Sequence, residues 1–340
     1  MTALADTVIE RAIDAADRVP GARALAPEEL TASPDVDVIV NLTVPAAHFE
    51  VALMALAGGK HVYNEKPLAS TRAESQEMIS AAASRGLRIG CAPDTVLGTG
   101  IQTARAVIDQ GGIGTAHSAV AFMASPGHEA WHQRPQFYYQ QGGGPLYDMG
   151  PYYLTALVHL LGPVKRVVGA SSRPRPTRVV GSGPLAGTTF HSEVDTHVTG
   201  ILEHTSGALS TLVMSFELWG AHLPKIEVHG TEGSLSVPDP NRFDGQVERF
   251  SPGSKEWESV EDVAGYVGAS RGYGIAELGE ALATGRPHRA YGELAYHLLD
   301  VMATLMDAAG QGTWLEIESS CERPAIVALS TMAQVAGKRS

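Results

Sequence analysis

Three groups of residues have types and spacings that can do chemistry. Residues 58–67 read GGKHVYNEKP, which places Lys66 just after an apolar strand pattern. In an open parallel sheet that position lies at the carboxyl edge, where ligands bind. An ammonium there can hydrogen-bond a substrate hydroxyl and lower its pKa, so the proton leaves as hydride departs from carbon. Glu65 can hold that lysine or a ribose, although a solvated Glu–Lys turn would look the same. Residues 142–152 read GGGPLYDMGPY. Asp148 precedes a helix predicted to begin at Pro151, a residue suited to a first helical position, and Tyr152 follows four residues on. A carboxylate and a phenol so placed can orient a sugar hydroxyl and pass its proton; a capping Asp and a core Tyr explain them equally well.

The third group is the aromatic loop 125–141. Trp131, His132, Phe137, Tyr138 and Tyr139 offer flat faces to a sugar ring, and Glu129, His132 and Arg134 offer groups to its hydroxyls. Filling a domain interface is the competing use of such a cluster. His128 to His132 also spell H-E-x-x-H, a zinc-protease spacing that needs both histidines on one helix face. Pro126, Gly127 and Pro135 leave little room for that helix, so no metal is expected.

These residues need elements to position them. The first half alternates short apolar runs with helical patterns, the mark of βαβ units and a parallel sheet. Strands are predicted at 36–42, 60–63 and 87–91, with helices at 46–57, 73–83 and 98–110. Beyond Gly114 come strands at 117–124, 164–168, 194–203, 208–217, 225–229 and 234–237, largely antiparallel, then helices at 273–283 and 292–308. Two domains follow, 1–113 and 114–340. Asp94, just past the third strand, either faces the cleft or caps the helix at Gly98. The 340 residues carry a net charge of −12, which disfavours nucleic acid and anionic membranes as partners. No apolar stretch is long enough to span a bilayer, no secretion signal opens the chain, and two cysteines in no metal spacing suit the cytoplasm.

The order of TxPxxH (Thr43, Pro45, His48), AGGKHVYNEKPLA, GGGPLYDMGPYY and HGTEGSLSVPDPN resembles the Gfo/Idh/MocA family of glucose–fructose oxidoreductase and inositol dehydrogenase relatives, over essentially the whole chain. That resemblance implies a Rossmann domain followed by a domain with a large, mostly antiparallel open sheet used for subunit contacts, hence a homodimer or homotetramer. It implies NAD or NADP, held by Asp6, Asn41, Thr43, Pro45, His48, Glu65 and Lys66. Lys66, Asp148 and Tyr152 become the catalytic group, with Trp131, His132, Tyr138, Tyr139 and Asp148 on the substrate.

Two departures stand out. The family's histidine four residues after the aspartate is here Tyr152, a poor base with an unperturbed pKa near ~10, and a further aspartate is Thr155. The family also opens with a strand, a glycine-rich turn and a helix, whereas residues 1–6 (MTALAD) resemble its second strand, whose terminal acid binds the adenosine ribose. Roughly 30 residues would precede it, as if a misplaced start had turned an upstream VTALAD into MTALAD. The parallel sheet is therefore expected to lack its first strand and helix and to keep an unpaired apolar gap. Asp6 favours NAD over NADP, modestly, because Arg11 is near. The expected activity is NAD(P)-dependent oxidation of a secondary alcohol on a sugar, a sugar derivative or inositol. An NAD-assisted glycosidase using the same site, and a non-catalytic remnant unable to bind the dinucleotide, are the alternatives.

Overall fold

The computed structural model describes residues 1–331. The chain divides into two compact units, Met1–Ala92 and Pro93–Ser340. In the first, β1 (Ala3–Ala5), α1 (Ile9–Ala16), β2 (Arg23–Leu25), α2 (Pro27–Ala32), β3 (Val38–Asn41), α3 (His48–Ala57), β4 (His61–Asn64), α4 (Arg72–Ala83) and β5 (Ile89–Cys91) alternate. Local chemistry sets the ends. Glu74 N–H donates to Thr71 Oγ1 and Thr71 N–H donates to Glu74 Oε2, a reciprocal cap that opens α4. Beyond α3, Gly59 takes φ +74°, which lets the chain turn sharply into β4.

β1 pairs only with β2, and β3, β4 and β5 form a separate sheet; all these pairings are parallel. Among the described residues no ladder joins the two sheets, and Val40, Leu42, Ile9 and Ile13 are exposed. This is the interrupted parallel sheet that the sequence predicts. The register aligns Asn41 with Asn64 and Asn64 with Cys91, so three strands finish at one edge.

The second unit opens with α5 (Thr99–Asp109), β6 (Ala116–Ala124), α6 (Gly144–Leu161) and β7 (Val164–Ser172). A hairpin of β8 (Thr177–Val179) and β9 (Thr189–His191) stands apart. There follow β10 (His197–His204), β11 (Leu209–Ser215), β12 (Ile226–Gly230), β13 (Gly233–Val237), β14 (Val247–Phe250) and β15 (Glu258–Val260), then α7 (Tyr273–Thr284), α8 (Gly292–Gln311) and β16 (Leu315–Glu316). Nine strands make one sheet in the order β15-β14-β13-β12-β6-β11-β10-β7-β16, antiparallel except where β11 meets β6. Alternate residues face the helices: Val198 and Leu202 are buried there, and Gly169 and Gly200 leave room for Leu305 of α8. The other face carries Ile201, 41% exposed, with Leu209 and Thr211 beside it.

The border between units lies ahead of α5, not behind it at Gly111–Gly114. The reason is packing: Thr99 to Ala106 are all buried, and Gly100 N–H donates to Phe243 O of the second unit. α7 and α8 likewise belong to that unit. Its last described segment is gripped by arginines. Arg105 Nη1 donates to Pro324 O, Arg289 donates to Ala325 O at 2.7 Å and Ile326 O at 3.0 Å, and Arg323 donates to His159 O at 2.6 Å.

Candidate active site

In the first unit the loops after β3 and β4 are built around buried polar side chains. Asn41 Oδ1 accepts from Thr43 Oγ1 at 2.7 Å and from Thr43 N–H at 3.2 Å, and Asn41 Nδ2 donates to His48 O. The ring of His48 is fully buried, with Nδ1 2.7 Å from Pro67 O and Nε2 3.0 Å from Thr43 O. Asn64 Nδ2 donates to Leu68 O, and Ser70 Oγ donates to Pro45 O. Together these bonds tie the Thr43–His48 segment to the Glu65–Ser70 segment. Asn41 and His48 therefore shape the loops through backbone groups rather than offering polar atoms to a ligand, which corrects the expectation that they contact the cofactor directly.

Lys66 is half-buried at this edge, and its N–H donates to Glu65 Oε2 at 3.0 Å. Glu65 N–H donates to Asn41 O, and Cys91 Sγ donates to Glu65 O at 3.5 Å. Burial, reinforced by the Glu65 carboxylate, pushes the Cys91 thiol well above its ordinary range, so it is an inert core group. At the end of β1, Asp6 Oδ1 accepts from Val8 N–H at 2.8 Å, with Arg11 at 3.9 Å.

In the second unit, α6 begins at Gly144 with Pro145 in its first turn, so the predicted start at Pro151 is wrong. The glycine run, not the second proline, marks the entry. Pro151 sits inside the helix, where its missing N–H leaves the carbonyl four residues back without a helical donor. Asp148 is thus a mid-helix residue rather than a cap, and Tyr152, one turn on, shares its face. Thr155 is buried and its Oγ1 donates to Pro151 O at 2.5 Å. The Tyr152 ring is nearly buried, with the Arg271 guanidinium 5.3 Å above it. Asp94 does not cap the helix at Gly98: its Oδ2 accepts from Gly272 N–H at 2.9 Å and Gly274 N–H at 3.1 Å, capping α7.

The aromatic loop separates into surface and core. Trp131 is 60% exposed, and His132 and Tyr138 are half-buried with rings 5.4 Å apart, so these three keep faces a ligand can use. Tyr139 and Glu129 do not. Tyr139 is fully buried, its hydroxyl donates to Glu129 Oε2, and burial followed by Glu129 pushes the phenol pKa far up. Glu129 pairs with Arg178 at 2.9 Å; Arg178, 2% exposed, also bonds Glu217, which accepts from Thr196 and from Arg175 at 2.6 Å. The expected substrate contacts of Tyr139 and Glu129 are therefore corrected: they form a charged core beneath the loop. The H-E-x-x-H stretch falls on a 3-10 turn, His128–Ala130, so its histidines share no helix face. Among the described residues no three His, Cys, Asp or Glu side chains cluster as a metal site would require.

One candidate for the site escapes sequence reasoning. His128 Nε2 lies 2.8 Å from Asp148 Oδ2, and its ring packs against Tyr138, Phe216 and Trp131 at 4.4, 4.6 and 5.2 Å. The two lie 20 positions apart in the sequence, with the aromatic loop and the start of α6 between them, and only the zinc-like spacing drew notice to His128.

A parallel α/β unit with a lysine held at its strand ends, followed by a unit with a wide open sheet and a half-buried carboxylate–imidazole pair, defines a two-domain Rossmann-type scaffold. The chain belongs to the Gfo/Idh/MocA family. Residues 1–92 match the oxidoreductase family with the NAD-binding Rossmann fold, and residues 101–236 match the GFO/IDH/MocA C-terminal domain. It is 32% identical to 1,5-anhydro-D-fructose reductase of Ensifer adhaerens over 61% of this chain and 59% of that protein. To dTDP-3,4-didehydro-2,6-dideoxy-alpha-D-glucose 3-reductase of Streptomyces antibioticus it is 32% identical over 69% of this chain and 73% of the relative. The chain thus spans under two thirds of the first relative's length and somewhat more of the second's. The fold matches an NAD binding oxidoreductase from Klebsiella pneumoniae (TM-score 0.79, 23% identity, 94% of this chain and 90% of that one). It also matches levoglucosan dehydrogenase complexed with NADH and levoglucosan (TM-score 0.77, 22% identity, 94% and 90%).

Proposed function

We propose that this chain is an NAD(P)-dependent oxidoreductase acting on a secondary alcohol of a sugar, sugar derivative or inositol. The observation that carries the reading is Lys66, half-buried at the shared carboxyl edge of β3, β4 and β5 on a loop tied down by Asn41, Asn64 and His48. The named sugar reductases and dehydrogenases among its relatives support the substrate class.

The residues present fit two ends of a dinucleotide. Asp6 ends β1 half-buried, where a carboxylate suits a ribose diol and disfavours a 2′-phosphate, while Thr43 and Pro45 border the edge that Glu65 and Lys66 line. When bound, the nicotinamide supplies a hydride acceptor. Lys66 donates a hydrogen bond to the substrate oxygen and stabilises the negative charge that grows there. Asp148 accepts from a neighbouring hydroxyl and so fixes the ring, and Tyr152, on the same face of α6, relays the proton. Trp131, His132 and Tyr138 lie against the ring's apolar face. The exposed face of the nine-stranded sheet serves subunit contact in a homodimer or homotetramer, and two unpaired thiols suit the cytoplasm.

The test is a panel of aldoses, anhydrosugars and inositols with NAD and NADP, followed by NADH or NADPH absorbance. At least one should be turned over, faster with NAD. Lys66→Ala should lower kcat by about 10²- to 10⁴-fold on that substrate. An undiminished Lys66→Ala enzyme would overturn the assignment. Cleavage of a glycoside without net NADH would instead identify a hydrolase.

A further inference from the structure

We propose that His128 is a positioning residue for the Asp148 carboxylate, an imidazole supplied by the loop ahead of α6 because α6 itself carries Tyr152. The inference rests on the oxidoreductase reading above.

The geometry is that of a built pair. Nε2 of His128 donates to Asp148 Oδ2 at 2.8 Å, and the two side chains are only 12% and 14% exposed. Three aromatic rings, Trp131, Tyr138 and Phe216, wall the imidazole and keep it from turning. The other nitrogen, Nδ1, is buried with no hydrogen-bond partner. That differs from His48, His204 and His297, which each place both nitrogens against polar partners. A neutral ring with its proton on Nε2 suits this setting, since an unmet lone pair on Nδ1 replaces an unmet N–H. In that tautomer the ring presents a fixed donor to the carboxylate. Its reach toward substrate is only through Asp148, because Nδ1 is shut away from solvent.

The charged core beneath the loop points the same way. Tyr139 Oη accepts the His128 N–H at 3.2 Å while donating to Glu129, and Glu129 O accepts from Gly181 N–H at 2.7 Å. Gly127, at φ +109°, brings the chain so close that a Cβ there would lie 2.2 Å from Glu129 Oε2 and 2.5 Å from Tyr139 Oη. Buried ion pairs such as Glu129–Arg178 contribute little net stability against an apolar alternative, because each charge must be stripped of water. Their effect here is to hold the His128 backbone in one place. Histidine on a pinned turn, carboxylate on a helix, and a fixed bond between them leave Asp148 one direction in which to receive a hydroxyl.

Two measurements decide it. Long-range nitrogen–proton NMR of the histidine rings in the full wild-type chain, with His128→Gln assigning the signal, should show His128 as the Nε2–H tautomer; an Nδ1–H tautomer would overturn the pairing. On the substrate found by the panel, His128→Ala should lower kcat by about 10²-fold with the KM for NAD unchanged. His128→Gln, whose amide N–H can replace Nε2–H, should recover most of that loss. Wild-type kcat in His128→Ala, or no recovery in His128→Gln, would sink the proposal. Should the wild-type chain oxidise nothing in the panel, the oxidoreductase reading fails, while the tautomer still reports on the pair by itself.

Discussion

Arg178 anchors the charged core beneath the aromatic loop. Its guanidinium joins Glu129 and Glu217, whose side chains are largely shielded from water. Arg178→Met strands the Glu129 carboxylate, whereas Glu217 keeps Arg175, so the change should cost about 3–5 kcal/mol by urea denaturation. Tyr152→Phe keeps the ring and should leave stability within about 1 kcal/mol while cutting kcat by about 10²-fold or more; an unchanged kcat would remove Tyr152 from the proton path. Lys66, Asp148 and Tyr152 stand out in the sequence as candidates because a short motif carries each of them. His128 was not, since its partner lies across a loop whose path no local pattern dictates. Tyr139 and Glu129 were misassigned for the converse reason: aromatic and acidic residue types suit a sugar pocket and a charged core alike, and only burial tells them apart.

Helices and strands were easiest to read where periodicity was strong, as in β4, α4 and α8. They were hardest where a special residue admitted two readings. Pro145 and Pro151 both fit a first helical turn, and the flanking glycines, rather than the proline, decided between them. β2 and α2 went unpredicted because three and six residues carry too little pattern. Three buried histidines make a pH-dependent set. Burial, with Arg105, Arg323 and Arg289 adding repulsion, lowers His159 to about 3, and burial lowers His204 and His297 to about 4. Each is neutral in the fold and takes a proton more readily once unfolded. The stability this contributes is complete above about pH 6.5 and is lost as pH falls toward 4. The unfolding free energy should therefore drop steadily over that interval, by up to about 1.4 kcal/mol per pH unit for each histidine. His204→Asn should flatten the slope; an unaltered slope would contradict the assignment.

Across the whole molecule, the sequence foresaw both the interrupted parallel sheet and a large, mostly antiparallel open one, though not its edge strands β14, β15 and β16, and it set the border of the units behind α5 rather than ahead of it. Glycines at 111–114 look like a hinge, whereas packing assigns α5 to the second unit. The proposed homo-oligomer would meet through the face of the large sheet that carries Ile201. Ile201→Glu should lower the mass seen by light scattering from dimer or tetramer to monomer, and an unchanged mass would mean subunits meet elsewhere. The grip of Arg105 and Arg289 on the segment around Pro324 has a quieter corollary. The acceptors there are amide oxygens, which neither titrate nor lose their dipoles to dissolved ions. Concentrated salt or mild acid, conditions that loosen contacts between surface ions, should leave that stretch of backbone seated and its amides slow to exchange.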